Sequence, residues 1–118
     1  MVLDLSKISG IGDFTTKVEL IKKPVQHNQK SVKRNQNPAK HEKKRTIYYK
    51  GDKAFLIENA HTIEVRCDDK LSQHLRSKYE SVMESRYFGR GGIEIIPAGQ
   101  LTSDEIADLI RLSYNLTK

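Results

Sequence analysis

The fold of this chain is decided by residues 67–116, which read CDDKLSQHLRSKYESVMESRYFGRGGIEIIPAGQLTSDEIADLIRLSYNL. This order of residue types predicts a helix, an Arg/Gly loop, a short apolar strand, a turn and a second helix. Asp68 or Asp69 can cap the first helix with a side-chain carboxylate. The apolar residues of this helix recur at spacings of three and four, as an amphipathic helix requires: Leu71, Leu75, Tyr79 and Val82.

The second helix begins with a capping box. Thr102 is followed three residues later by Glu105, and Asp104 lies favourably near the positive end of the helix dipole. The predicted buried stripe of this helix contains Ile106, Leu109, Ile110, Ser113 and Leu116. Before it, Ile93, Ile95 and Ile96 predict a strand that Pro97 and a turn at Gly99 bring to an end.

Upstream, residues 46–67 predict an antiparallel meander. Strands over 46–50, 53–58 and 62–67 are separated by a Gly51-Asp52 turn and by Asn59-Ala60-His61. In the last of these strands apolar and polar residues alternate, which is typical of a sheet covered on one side only. The apolar set is Ile63, Val65 and Cys67, and the polar set is Thr62, Glu64 and Arg66. We therefore predict an α+β fold: an antiparallel sheet of about four to five strands, covered on one face by two helices.

The N-terminal segment, residues 1–21, holds a further strand candidate at 13–21. Phe14, Thr16, Val18 and Leu20 alternate with Thr15, Lys17 and Glu19, a period of two that favours a half-buried strand. A helix that uses Phe14, Val18 and Ile21 is the competing interpretation.

The basic residues are concentrated in one segment. Residues 22–45 contain nine Lys/Arg and one Glu, a formal +8, whereas the whole chain carries +6. Few apolar residues and two prolines favour a flexible linker or loop between the N-terminal segment and an α+β domain over residues 46–118. Such a segment either binds phosphates non-specifically, with an affinity that falls steeply in salt, or only keeps the protein in solution.

Composition limits the classes of function. A chain of 118 residues holds one small core, and its basic charge favours contact with a polyanion or an acidic surface. A single Cys excludes an internal disulfide and favours a reducing compartment. Neither a signal peptide nor a long apolar run is found, so we expect a cytoplasmic protein that does not contact membranes. We also expect a monomer.

Several motifs follow one another in a recognisable order: two strands, Cys67-Asp68, an amphipathic helix ending near Tyr79, a variable basic loop, a strand, Gly99-x-Leu101 and Asp104-Glu105-x-x-x-Leu109-Ile110-x-x-Ser113-Tyr114-x-Leu116. Over about residues 46–117 this order resembles the MmcQ/YjbR family. The resemblance implies an α+β fold of the frataxin (CyaY)-like type and a DNA-binding role of the double-wing kind.

The chain departs from this family in two places. Family members usually have an N-terminal helix, which the strand candidate and the basic segment replace here. They also carry a segment rich in aromatic, Asn-Lys and His-Trp residues before the last strand. Residues 85–92 read SRYFGRGG instead, and the chain has no Trp. Ligand contacts of that family segment are therefore not carried over.

The Arg/Gly loop is the main candidate site. Arg86 and Arg90 can bind phosphates, and Tyr87 can stack on an exposed base, so nucleic-acid contact is chemically sensible. The competing interpretation is a flexible loop with Tyr87 or Phe88 packed into the core. Together with the basic segment, the candidate nucleic-acid contacts are Arg86, Tyr87, Arg90, Lys30, Lys33, Arg34, Lys43, Lys44 and Arg45.

Other chemistries find little support. The four His residues lack metal-ligand spacing, and no His is placed near Cys67 to activate it, so we expect no catalytic residue, metal or cofactor. An iron-binding role like that of frataxin would need an exposed acidic helix face. The acidic residues of the last helix are better explained as helix caps. Ser113 is expected to be a small packing residue. The alternative function is a protein-interaction or scaffold domain, whose basic segment orders on an acidic partner protein.

Overall fold

A computed structural model of the chain describes residues 5–21 and 43–118. It has the predicted α+β class, with one antiparallel sheet and two α-helices in this part of the chain. The sheet has six strands in the order β1-β2-β3-β4-β6-β5. The elements are β1 (Thr15–Ile21), β2 (Lys43–Lys50), β3 (Lys53–Glu58), β4 (Ile63–Arg66), α1 (Asp69–Lys78), β5 (Val82–Ser85), β6 (Gly89–Ile95) and α2 (Ser103–Leu116). A single 3₁₀ turn at Leu5–Lys7 precedes them.

Both helices lie on one face of the sheet, which we call the helix face. Its main buried residues are Leu56, Ile63, Val65, Ile93 and Ile95, which pack against the apolar stripes of α1 and α2. Burial of an apolar side chain of this size contributes about 1.5–3 kcal/mol to the free energy of folding. This face forms the main hydrophobic core.

A bulge in β3 adds Phe55 to the helix face. Tyr48 pairs with Leu56, but the next residue of β2 pairs with Ala54, so Phe55 is an extra residue in the ladder. Phe55 and Leu56 consequently both belong to the main core, while Ala54 belongs to the opposite face. Strict alternation could not have predicted this arrangement.

The strand interpretation of residues 13–21 is confirmed, since β1 pairs with β2 along its whole length. In that pairing Ile21 lies opposite Lys43, so the chain between them joins two neighbouring strand ends. The predicted flexible linker lies outside the described residues, except at its end. Lys43, Lys44 and Arg45 are strand residues, because β2 begins before Thr46.

The strand count exceeds the prediction because β5 was not expected. Val82 was assigned to the first helix, but that helix ends at Lys78, and Tyr79 takes an extended conformation at its C-cap. Val82 begins β5, opposite Ile95 of β6, and it is buried on the helix face. The predicted fourth strand is confirmed as β6, although Ile96 lies beyond its end and is exposed.

The predicted helix starts are confirmed. Asp68 is the N-cap of α1 and accepts a hydrogen bond from the Leu71 amide at 3.0 Å. Thr102 and Glu105 form the capping box of α2. In the stripe of α2, however, Leu116 is exposed and Tyr114 is buried instead, with its ring 5.0 Å from that of Phe55. Neither helix in the described residues is long and apolar enough to cross a membrane.

Candidate nucleic-acid interface

The other face of the sheet, which we call the open face, has a small apolar cluster of its own. Ile47, Ala54 and Ile57 are buried there, and they pack against Tyr49 and Phe88. No residue of α1 or α2 belongs to this cluster among the described side chains. The two helices cover one face of the sheet, as predicted, and in this region the Arg/Gly loop folds onto the open face.

The loop owes its shape to a tight hairpin. Ser85 pairs with Gly89, which leaves a three-residue loop followed by a residue at φ 62°, a conformation that glycine adopts without strain. Phe88 then crosses above Gly92, where a Cβ would lie 2.7 Å from the Phe88 Cβ and 2.5 Å from the Val65 carbonyl oxygen. The absence of a side chain at Gly92 thus allows Phe88 to reach the open face.

Glu64 anchors the middle of the loop. Its carboxylate is 2 % exposed and accepts hydrogen bonds from the Ser85 hydroxyl, the Tyr87 backbone amide and the Asn59 side-chain amide, each at 2.8 Å. The Ser85 oxygen in turn accepts from the Phe88 amide at 2.8 Å. These bonds fix the backbone of the loop, so it is not a free segment.

Arg86 is held by the neighbouring carboxylate. Its guanidinium donates to Glu94 through Nε at 2.9 Å and through Nη2 at 2.7 Å, and Thr62 donates to the same carboxylate at 2.6 Å. The bond to Glu94 raises the pKa of Arg86. Burial alone would raise the pKa of Glu94, but the bonds from Arg86 and Thr62 lower it below its usual value. The Arg86 side chain remains 75 % exposed and can meet a ligand while it neutralises Glu94.

Tyr87 is the exposed ring of the site. It is 41 % exposed, with its ring edge-to-face against Phe88 at 5.0 Å. The Arg45 guanidinium lies 5.3 Å from the Tyr87 ring centroid and also donates to Glu19 at 2.7 Å. The open face therefore carries an exposed aromatic ring with Arg45 beside it, and Arg86 held by the buried Glu94 carboxylate.

The sequence offered two roles for the aromatic residues of the loop, packing against the sheet and contact with a ligand, and the two residues differ in this respect. Phe88 packs onto the sheet, as the core interpretation expected, and the Arg66 guanidinium lies 4.9 Å from its ring centroid. Arg66 also donates from Nε to the Ala54 carbonyl at 2.8 Å. Tyr87 remains accessible, as the nucleic-acid interpretation requires.

The remaining candidate contacts are dispersed. Arg90 is exposed and has no polar partner among the described residues. Lys44 lies opposite Leu20, one residue out of phase with Arg45, and therefore faces the other side of the sheet. Of Lys43 only the strand position is described, and Lys30, Lys33 and Arg34 lie outside the described residues. The fold thus brings Arg45 to the Tyr87 ring and places the Arg86 guanidinium on Glu94 of the same sheet face.

Three residues of this site were not predicted: Glu64, Glu94 and Arg66. The alternation in the sequence contained a signal for each of them, because Glu64 and Arg66 share the polar side of a strand and Glu94 lies between Ile93 and Ile95. Two polar residues on neighbouring strands of one sheet can meet. What the sequence lacked was the pairing of β4 with β6, which places Glu64 opposite Glu94.

Cys67 and Ser113, which were also singled out from the sequence, have structural roles in the described part of the chain. Cys67 is buried, and this burial together with the Asp68 charge raises the pKa of its thiol to about 11. No group of three or more His, Cys, Asp or Glu in residues 5–21 and 43–118 could hold a metal ion. Ser113 does more than pack: its hydroxyl donates to the Phe55 carbonyl and accepts from the Arg66 amide.

No family model, curated protein or solved structure matches this chain. The assignment to the MmcQ/YjbR family accordingly stays a prediction.

Proposed function

We propose that the open face binds nucleic acid, with DNA as the first candidate, through Arg45, Arg86, Tyr87 and Arg90. One observation carries the proposal: the exposed Tyr87 ring lies 5.3 Å from the Arg45 guanidinium, and the residue before it, Arg86, keeps an exposed guanidinium while it binds Glu94. No described helix covers this face of the sheet. Base stacking on such a ring contributes about 1–3 kcal/mol per base in proteins that bind single strands. Flanking guanidiniums suit the phosphates on either side of a stacked base.

Charge distribution supports the same partner. The carboxylates of Glu64 and Glu94 are turned into the protein, and their charges are met by hydrogen bonds and by Arg86. A ligand approaching the open face therefore meets the exposed Arg86 guanidinium before it meets these acids. Glu19, the partly exposed acid of this region, is paired with Arg45.

The basic segment adds to this charge. Residues 22–42 connect Ile21 of β1 to Lys43 of β2, two residues before Arg45. The Lys/Arg of this segment therefore start from the sheet end that carries Arg45. They would supply affinity without sequence preference by counterion release, while Tyr87 selects for accessible bases.

The experiment is a titration of the full chain against a fluorescently labelled oligonucleotide, single-stranded and then duplex, monitored by anisotropy at several salt concentrations. Arg90→Ala is the informative cation variant, because Arg90 is exposed and has no polar contact among the described residues. Lys70→Ala is its matched control, since Lys70 is exposed on α1, on the other side of the sheet. We expect weaker binding and a smaller salt dependence for Arg90→Ala only.

Tyr87→Leu tests the stacking role. It keeps an apolar side chain against Phe88 and removes the aromatic surface, so single-strand affinity should fall by about fivefold to a hundredfold with the fold intact. Equal affinity of Tyr87→Leu, Arg90→Ala and the parent chain would remove the open face from the mechanism. Capture of the same proteins from lysate before and after nuclease treatment would instead favour the alternative, an acidic partner protein.

A further inference from the structure

The sheet ends on one side in an exposed edge strand. β1 has seven residues and pairs in the described residues with β2 alone. Val18 is 61 % exposed and Leu20 is 52 % exposed. The opposite edge, β5, has only four residues, and Glu84 there forms an ion pair with Arg76 at 3.8 Å. An exposed edge of this length is a site at which another strand can add, provided that the partner complements the charges of Lys17 and Glu19.

We propose that two copies of this chain pair edge to edge through β1, antiparallel and centred on Val18. The β1 sequence, TTKVELI, is self-complementary about that residue. A two-fold axis at Val18 places Lys17 of each copy opposite Glu19 of the other. Opposite charges directly across an antiparallel pair stabilise it, and like charges destabilise it.

The side chains on both faces of β1 are compatible with a pairing centred on Val18. Lys17 and Glu19 pair with Ile47 and Arg45 of β2, so both lie on the open face, where Glu19 already binds Arg45. The other oxygen of Glu19 lies 3.8 Å from Lys17 of the same chain, so Lys17 of the second copy would add to this existing group of opposite charges. On the helix face Val18 meets Val18 of the second copy, and Leu20 meets Thr16.

Pairings of the two β1 strands centred one residue to either side of Val18 are less favourable. An antiparallel pairing that keeps each side of the strand on its own face can only shift its centre by whole residues. A centre at Lys17 puts the two lysines opposite each other, and a centre at Glu19 does the same with the two glutamates. Of these three centres, Val18 alone joins opposite charges on one face and apolar side chains on the other.

The pairing would give a continuous sheet with both open faces on the same side, because the two-fold axis is perpendicular to the sheet. The two copies of Ile21 then lie at opposite ends of the β1–β1 contact. Such a dimer differs from the monomer expected from the sequence, and it forms independently of nucleic-acid binding.

Sedimentation equilibrium of the full chain at up to about 0.5 mM tests the pairing, because a short edge contact predicts a weak association. We expect a monomer–dimer equilibrium that Val18→Lys weakens by about tenfold or more. Met83→Lys is the control, since Met83 is an exposed apolar residue of the other edge strand and its replacement should leave the equilibrium unchanged.

Charge exchange gives a sharper test. Lys17→Glu and Glu19→Lys should each weaken self-association, because each places like charges across the two-fold axis. A mixture of the two variants should recover the dimer as a heterodimer, since all cross-strand pairs then have opposite charges. A chain that stays monomeric at the highest concentration, a dimer insensitive to Val18→Lys, or a mixture that fails to associate would each overturn the proposal.

Discussion

Glu64 and Glu94 lie directly opposite each other on β4 and β6, and both carboxylates are buried. Two like charges in this position destabilise a sheet unless each has donors of its own. Here each carboxylate has its own hydrogen-bond donors. Glu64 accepts hydrogen bonds from the Asn59 side chain, the Ser85 hydroxyl and the Tyr87 amide. Glu94 accepts them from Arg86 and Thr62. Three of these donors come from the loop end of the β5–β6 hairpin, so the acid pair holds the loop on the open face.

Glu64→Ala should loosen this loop and destabilise the protein. The change leaves the Ser85 hydroxyl and the Tyr87 amide without an acceptor, which costs about 2–4 kcal/mol for buried donors of this kind. Urea unfolding measures the loss, and hydrogen exchange at the Tyr87 amide locates it. Glu64→Gln is the control, because its carbonyl oxygen can still accept both bonds. Equal exchange at Tyr87 in the parent and Glu64→Ala would show that Glu64 does not hold the loop.

Arg86→Met should change the pH dependence of stability. The folded-state pKa of Glu94 lies below its ordinary value of 4.5, so its contribution is full above that value and is lost as the pH falls through the lowered pKa. Without Arg86, burial dominates and raises the pKa of Glu94. Arg86→Met should therefore be less stable than the parent at about pH 7, with a smaller difference at about pH 3.

Unfolding free energies by urea at several pH values test this linkage. Arg90→Met is the matched control, because Arg90 is exposed and has no acidic partner in the described residues. Its profile should run parallel to that of the parent chain. A difference between Arg86→Met and the parent that does not change with pH would exclude Glu94 as the titrating group.

Local patterns predicted most of the elements. The Thr102 capping box, the Asp68 cap, the Gly51 turn and the alternation in β1 and β4 are all signals within a few residues, and each has its predicted structure. The end of α1 was harder to predict. Val82 continues the spacing of Leu75 and Tyr79, and only the extended backbone at Tyr79 shows that the helix has already ended.

The candidate site needed information from distant parts of the chain. Arg45 meets Tyr87 because β2 and the β5–β6 hairpin share one sheet, and no local period links these elements. Likewise, the open face reads as uncovered from β4 alone, since Phe88, which covers it, comes from the hairpin loop. The sequence therefore predicted the residue types of the site better than their partners.

Gly92→Ala should displace Phe88. The added Cβ would lie within 3.0 Å of both the Val65 carbonyl oxygen and the Phe88 Cβ, distances that require a shift of backbone or ring. We expect a loss of about 1–3 kcal/mol, as for other overpacked sites. Gly91→Ala is the matched control, because its nearest atom, the Phe88 carbonyl oxygen, is at an ordinary 3.5 Å. Urea unfolding of both variants makes the comparison, and similar losses would mean that strand propensity, not contact with Phe88, explains the effect.

Ser113→Ala should weaken the connection between α2 and the sheet. The fully buried hydroxyl donates to the Phe55 carbonyl at 2.5 Å and accepts from the Arg66 amide at 2.8 Å, so it joins the bulge of β3 to the end of β4. Both backbone groups lose their partner in the variant, at a cost of about 1–3 kcal/mol. Because the Arg66 guanidinium also lies over Phe88, faster hydrogen exchange at the Arg66 amide should be accompanied by chemical-shift changes in the Phe88 ring. Ser77→Ala, at an exposed serine of α1, should change neither signal. Shifts at Phe88 without faster exchange at Arg66 would contradict this route from the helix face to the open face.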